Sequence, residues 1–455
     1  MSLQFKPLLS NRSLRLTQYI CAAALYMATV EIWLVAIIIA ASVFSTRVLP
    51  WAVGVAGLFW IIRYLAYGYL SVRTPADWPI ALLALLAPIN VWTSALPDIT
   101  LLAIYRLLTG MALYYVIVNW ATTTRRLRRL WQLTAIGGLL LALVALISVK
   151  WTAGGELFQG FALLYDRLPL LISDAVNPNV MAGALVILFP FALAWPLFAR
   201  RESSWPQLVL VSAGGVLVLA VLILTQSRGG WMGLAAILII MTLLRWRWGK
   251  WLILVLAASG VVVIRRLGVV PVLHALVLNN SLGGLDTRLE VWSRAWYMIE
   301  DFPITGIGMG LFQDAAGVLY PFFTISRDVP HAHNLFLQVA VDMGVPALIA
   351  WLAIWMLAIF GAWQTYRYGR SMSNRVLAGV GAGLLCSQIA LAVHGTLDAV
   401  TWGAVRASVI PWAIWGLTMA AWNVSMKAFQ GYETQRRIEA TLPVEPAVSM
   451  PERDD

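Results

Sequence analysis

Along almost its whole length the chain alternates between apolar runs of about 20 residues and short polar joints. A run of that length crosses the ~30 Å hydrocarbon core of a bilayer as an α-helix, because a helix satisfies its own backbone hydrogen bonds there. The pattern predicts about twelve spans, at 18–44, 49–67, 78–94, 99–121, 130–150, 178–198, 206–225, 230–244, 251–264, 334–362, 376–397 and 407–426. The expected class is an all-α polytopic membrane protein. Its parts are a cytoplasmic N-terminus (1–17), nine spans (18–264), a large extracytoplasmic loop (265–333), three further spans (334–426) and a polar tail (427–455). The tail is expected to be disordered in the cytoplasm. The first run is too long for a signal-peptide core, so it is expected to be retained.

Two segments break the rule of short joints, 151–177 and 265–333, and long loops in compact bundles are functional or disordered. The second is rich enough in aromatics to fold and is expected to carry short helices. Residues 287–300 place Leu289, Trp292, Trp296 and Ile299 three or four apart, which predicts an amphipathic helix. The following FPITGIGMGLF has one proline and three glycines and predicts a turn-rich stretch.

Composition narrows the function. Of 455 residues, 61% are hydrophobic and 12% charged, against roughly 25% charged in soluble domains, which excludes an ordinary soluble enzyme. The net charge of +11 would suit a nucleic-acid partner, but the arginines sit in the joints between spans, so none is expected. With the N-terminus inside, twenty of the 32 Lys and Arg residues fall on the inner side and ten on the outer, while Arg63 and Arg106 lie within spans. This bias predicts that both ends are cytoplasmic. Cys21 and Cys386 lie in apolar runs and form neither a zinc ribbon nor a disulfide framework.

All four histidines, His274, His331, His333 and His394, fall on or near the outer side. For His394 plain solvation is the expectation, while for His274 a solvated and a functional role both stay open. His331 and His333 stand where the long loop enters the tenth span. The free N–H groups and partial positive charge of a helix start favour the neutral imidazole that a general base needs. Arg228, in TQSRGGWMG at the outer end of the seventh span, either snorkels or binds something, and its two glycines leave room for a ligand. Arg288 stands near the start of the loop helix, where a cation is unfavourable. It either pairs with Asp286 or Glu290 or, with Arg228 and Arg294, converges on an anion such as a diphosphate, which suits the arginine fork. No metal is expected, since no Cys, Asp or Glu completes the His-Ala-His pair at usual spacing. Asp98, Glu156, Asp166, Asp174, Asp342 and Asp398 also lie near the outer face, and spacing selects none of them. Glu31 with Arg63 or Arg106 reads as a buried structural pair.

Four segments then carry a family resemblance: NPNVMAGALVILFPFAL (177–193), TQSRGGWMGLAA (225–236), TRLEVWSRAWYMIEDFPITGIGMGLF (287–312) and HAHNLFLQVAVDMGVPAL (331–348). Together they resemble the O-antigen ligase superfamily, integral-membrane enzymes that include lipopolysaccharide O-antigen ligases and relatives of the O-antigen polymerases. The first five spans match only in hydropathy. The ligase pattern of His, then Asn/Ser/Gln, nine residues, Gly, two residues and Gly/Thr/Tyr is met by His333, Asn334 and Gly344 and departs at Ala347, which leaves ligase and polymerase both open.

The resemblance implies twelve spans in a GT-C-like arrangement in the bacterial inner membrane, with the active site on the large outer loop. It implies an undecaprenyl-diphosphate-linked glycan as donor, a glycan or lipid acceptor, and no metal, nucleotide sugar or other cofactor. His333 takes the place of the family's catalytic histidine, and Arg228 and Arg288 those of the arginines that hold the diphosphate. Arg265 and Arg294 are candidates for one further loop arginine. The mechanism so implied is direct displacement with inversion, His333 taking the acceptor's proton and the arginines stabilising the leaving diphosphate. Two other functions stay in view, a bicarbonate-type anion transporter and a non-catalytic scaffold of polysaccharide export. A transporter usually shows repeated halves, and the sequence has no repeat.

Overall fold

The computed structural model describes residues 11–151, 162–168, 170–171, 175–268, 285–323 and 329–441. Among them are fifteen α-helices, and the β-pairing is one isolated bridge between Val149 and Val176. In chain order the helices are α1 (Asn11–Phe44), α2 (Leu49–Tyr67), α3 (Asp77–Thr93), α4 (Pro97–Trp120), α5 (Thr124–Ser148), α6 (Ala162–Arg167), α7 (Pro178–Phe198), α8 (Trp205–Leu224), α9 (Arg228–Arg245) and α10 (Gly249–Leu267). They continue as α11 (Leu285–Asp301), α12 (Phe312–Val318), α13 (Leu335–Ser371), α14 (Arg375–Gly395) and α15 (Val409–Thr441).

Nine of these helices are long and apolar enough to cross a membrane, and α3 is a shorter apolar helix. The all-helical membrane class expected from the sequence is therefore met. The remaining expected spans coincide with α10 and α15. α14 is the most enclosed span, packed by α13, α7, α9 and α15. Its buried face is built from small residues such as Gly379, Ala382, Gly383 and Ser387, which let neighbouring backbones approach, the usual basis of helix association where lipid removes the hydrophobic drive. α1, at the rim, is the least enclosed.

Several helix ends and one helix face differ from expectation. α1 already runs from Asn11, within the expected N-terminal tail, and α15 continues to Thr441, so the start of the 427–455 tail is helical. The rest of that tail (442–455) lies outside the described residues, as do His274, Glu156, Asp174 and Arg327. The loop helix forms at Leu285–Asp301, but its buried side is Val291, Ala295, Met298 and Ile299, packed with Phe312, Ala316, Val341 and Ala332. Leu289 and Trp296 of the expected stripe stand 50% and 54% exposed, because the tight approach to α13 and α12 selects the slimmer neighbouring face.

The glycine-rich stretch after α11 is a strap laid across α13. At Gly344 the backbone of α13 leaves the helix (φ 80°, ψ 172°), a region open essentially to glycine alone. Val345 N–H donates to Pro303 O (2.7 Å), and Ile307 N–H donates to Val341 O (2.9 Å) across the break. The Asn90 side chain of α3 clamps the same strap, donating to Thr305 O (2.9 Å) and Asp342 O (2.7 Å) and accepting from Met309 N–H (3.0 Å). The orphaned helix groups at the kink are thereby satisfied.

Candidate active site

Three helix ends meet beside this strap: the starts of α9 and α13 and the end of α14. Asn334 caps α13, its side-chain oxygen accepting from Phe336 N–H (3.0 Å) and Leu337 N–H (3.1 Å), while its amide donates to Thr396 O beyond α14 (3.3 Å). The cap explains why an Asn follows the histidine, and it ties the two elements that carry the site.

His333, one residue before the cap, has a left-handed backbone (φ 47°). A non-glycine residue held there stores strain of about 1–3 kcal/mol, and such residues cluster at functional sites. The turn brings its imidazole edge-on to that of His331, with ring centroids 4.4 Å apart. Both face one carboxylate: His331 Nε2 is 3.5 Å and His333 Nδ1 3.8 Å from Asp398 Oδ1. Side-chain exposure separates the two, His333 at 30% and His331 at 17%, with Asp398 at 5%.

The protonation states follow from burial and neighbours. Burial pushes the His331 imidazole down to about 4; Asp398 opposes the fall, and His333 and Arg288 add to it. Burial alone would raise the Asp398 carboxyl, but contact with His333 and the fields of His331 and His394 hold it below the ordinary carboxylate range. At neutral pH the site is thus an ionised Asp398 beside a neutral His331.

The arginines join from two sides. Arg288, in the first turns of α11, has its guanidinium pulled below its ordinary value by burial; Asp398 counters this, and the like charge of Arg228 adds to it. Arg228 opens α9, whose cap Ser227 accepts from Gly230 N–H (3.3 Å). Two half-buried cations with a helix start beside them make a setting for an anion. The other two candidates lie elsewhere. Arg294 is held between Glu290 (4.0 Å) and the rings of Phe323 and Tyr297, and Arg265 is exposed on α10.

The fold corrects three expectations. Gly229 and Gly230 do not open a path for ligand. A Cβ at Gly229 would meet His394, and one at Gly230 would meet Ala182 and Leu222, so both positions are filled by protein. His394 is buried within α14, not solvated. His-Ala-His does gain a third potential ligand, Asp398, with one donor atom from each residue inside 4.8 Å. Arg288 beside the carboxylate opposes a cation there. The donor set suits proton handling better than metal binding.

Sequence reasoning missed the role of Asp398 and the support behind the histidines. Gln338 Oε1 accepts from Ala332 N–H (2.6 Å), between the two histidines, and its amide donates to Asp342 Oδ1 (2.9 Å). Asp342 also accepts from Gly310 N–H of the strap (3.3 Å) and from Trp402 Nε1 (2.9 Å) on the segment after Asp398. The available signals were Gln338 and Asp342 at one-turn spacing from Asn334, and an acid just past the outer end of the eleventh span. Ala347, where the ligase pattern departs, is fully buried in the core and belongs to helix packing, not to the site.

Residues 213–352 match the family model described as O-Antigen ligase. An O-antigen ligase of Pseudomonas aeruginosa is 27% identical over 262 residues, which are 57% of this chain and 58% of the relative. The chain thus spans a little over half the length of that relative. Both matches support a likeness to the O-antigen ligase superfamily, and the stretch matched by the family model carries Arg228, Arg288, His331 and His333.

Proposed function

We propose that the protein is a membrane glycosyltransferase of the ligase type, moving a glycan from an undecaprenyl-diphosphate carrier to an acceptor hydroxyl at the outer face of the cytoplasmic membrane. The observation that carries this reading is one half-buried site in which His333 and His331 share Asp398 while Arg288 and Arg228 bring two positive charges alongside. Asp398 faces His333 Nδ1, so a proton on Nδ1 leaves Nε2 as the base. Nε2 would take the acceptor's proton as its oxygen attacks the anomeric carbon and the sugar–phosphate bond breaks. Arg228 and Arg288 would stabilise charge as it develops on the departing diphosphate, in general the largest single contribution to such catalysis. Direct displacement inverts the anomeric configuration. The ligase reading follows the descriptions of both matches, with a polymerase as the alternative.

Purified protein in liposomes, given undecaprenyl-diphosphate-linked glycan and acceptor, tests this. Wild type is expected to consume the donor and free undecaprenyl diphosphate, with turnover unchanged by EDTA. His333→Ala is expected to lose about 10²–10⁴-fold, the contribution of a positioned base, and His331→Ala to retain much more. Donor untouched by wild type, or wild-type turnover by His333→Ala, would overturn the proposal.

A further inference from the structure

At the opposite end of the bundle lies a polar cavity that the reaction above does not use. α4 starts beside the strap, where Ser94 and Thr100 share a hydrogen bond (2.7 Å) next to Gly308. Its 24 residues then rise about 36 Å, roughly one hydrocarbon thickness, to Trp120. There a cavity of about 210 Å³ is lined by Glu31 of α1, Arg63 and Tyr67 of α2, Asn119 and Trp120 of α4, and Arg126 of α5.

The buried pair expected from the sequence is present: Arg63 Nη2 donates to Glu31 Oε1 at 2.7 Å, while Arg106 is not part of it. The pairing is single-pronged. Arg63 is 2% exposed, yet its Nε and Nη1 have no acceptor among the described residues. Three N–H bonds of a buried guanidinium are therefore unspent, and leaving such donors unmet is costly. Asn119 cannot serve them. Its oxygen already accepts from Val72 N–H (2.8 Å) and from the Ser71 hydroxyl (3.3 Å), and its amide donates to Tyr115 O (2.6 Å).

The second cation at the cavity is Arg126, which donates to Trp120 O (2.9 Å) and lies over the Trp120 ring. α5 begins at Thr124, between two lining residues, Thr122 and Arg126, so a helix start adds its partial positive charge. Arg63 and Arg126 against Glu31 leave the cavity with one excess positive charge. Tyr67, Tyr69 and Trp120 around it are residues favoured at the headgroup level.

We propose that this cavity binds a phosphate-bearing anion, its oxygens accepting the unspent N–H bonds of Arg63 with Arg126 closing the site. Two sources share that chemistry, the headgroup of an anionic phospholipid and free phosphate. Bound there, the anion would tie α1 and α2, at the rim of the bundle, to α4 and α5.

The test uses delipidated full-length protein in detergent, with lipid adducts counted by native mass spectrometry and thermal stability followed in parallel. Phosphatidylglycerol, diacylglycerol with the same tails, and inorganic phosphate are added separately. Phosphatidylglycerol is expected to bind and raise Tm, and diacylglycerol to do neither. Inert inorganic phosphate identifies the source as the lipid headgroup, and an equal effect of phosphate identifies it as the free ion. Arg126→Gln, and Arg63→Gln combined with Glu31→Gln so that no charge is orphaned, are each expected to weaken binding by about tenfold or more. If the double variant does not fold, Arg126→Gln decides. Diacylglycerol matching phosphatidylglycerol, no response to any of the three, or wild-type affinity in the folded variants would overturn the proposal.

Discussion

His333 and His331 stand two positions apart on one strained turn, yet their surroundings assign them different work. His331 is the deeper of the two, held neutral and close to Asp398, whereas His333 keeps the exposure that an incoming acceptor needs. The burial of His331 has a consequence for stability. Its folded value lies near 4 against an ordinary 6.5, so between those pH values the unfolded chain binds a proton that the folded chain refuses. Its contribution is full above pH 6.5 and is lost as pH falls toward 4, up to about 3 kcal/mol. Tm in detergent should therefore drop between pH 7 and 4.5, and His331→Asn should flatten the drop. An unchanged slope would mean that His331 is solvated. The arginines call for a different substitution. Arg228→Lys and Arg288→Lys keep the charge but lose the fork, so each is expected to slow transfer by about 10²–10³-fold with normal membrane insertion. Full activity in both would show that they snorkel.

Among the elements, α13 shows what a glycine at position 344 is for. Gly344 is where the helix breaks to admit the strap, and a Cβ there would collide with the Ile304 carbonyl oxygen. Gly344→Ala should cost about 1–3 kcal/mol in backbone strain alone and shift the strap, and with it the Gly310 donor to Asp342. The expected result is a lowered Tm together with reduced transfer, and a variant with both unchanged would remove the strap from the argument. The spans, the loop helix and the placing of His333 at a helix start were legible in the sequence, because each rests on local periodicity or on residues adjacent in the chain. Asp398 was not. It meets the histidines only because α13 and α14 run antiparallel, and no spacing encodes that meeting. His394 misled for a similar reason: the room that lets it be buried comes from Gly183 on α7 and Gly229 on α9.

Across the whole molecule, helix order fixes which ends share a side, and the proposed orientation, with the N-terminus inside, rests on the charges. Counting spans from an inner N-terminus puts the starts of α4, α9 and α13 and the ends of α3 and α14 on the outer side. The fold does gather those five ends around the strap and the His–Asp site, through Asn90, Ser94, Asn334 and Thr396 and through Gly229 of α9 set against His394. At the other end, Arg126 meets Trp120 and Arg245 donates to Leu197 O (3.0 Å), joining the joints that hold the inner-side arginines. A pair of opposed surfaces, one cationic and one carrying the site, is what the positive-inside rule would produce. The prediction is that a reporter fused to the C-terminus is cytoplasmic, while a tag near residue 280 is reached from outside intact cells. The site's compartment matters to the chemistry, since a lipid-linked donor presented at the outer face meets only a site that opens there. A tag at 280 reached only after the membrane is broken, with the C-terminal reporter outside, would invert the molecule and remove the proposed donor with it.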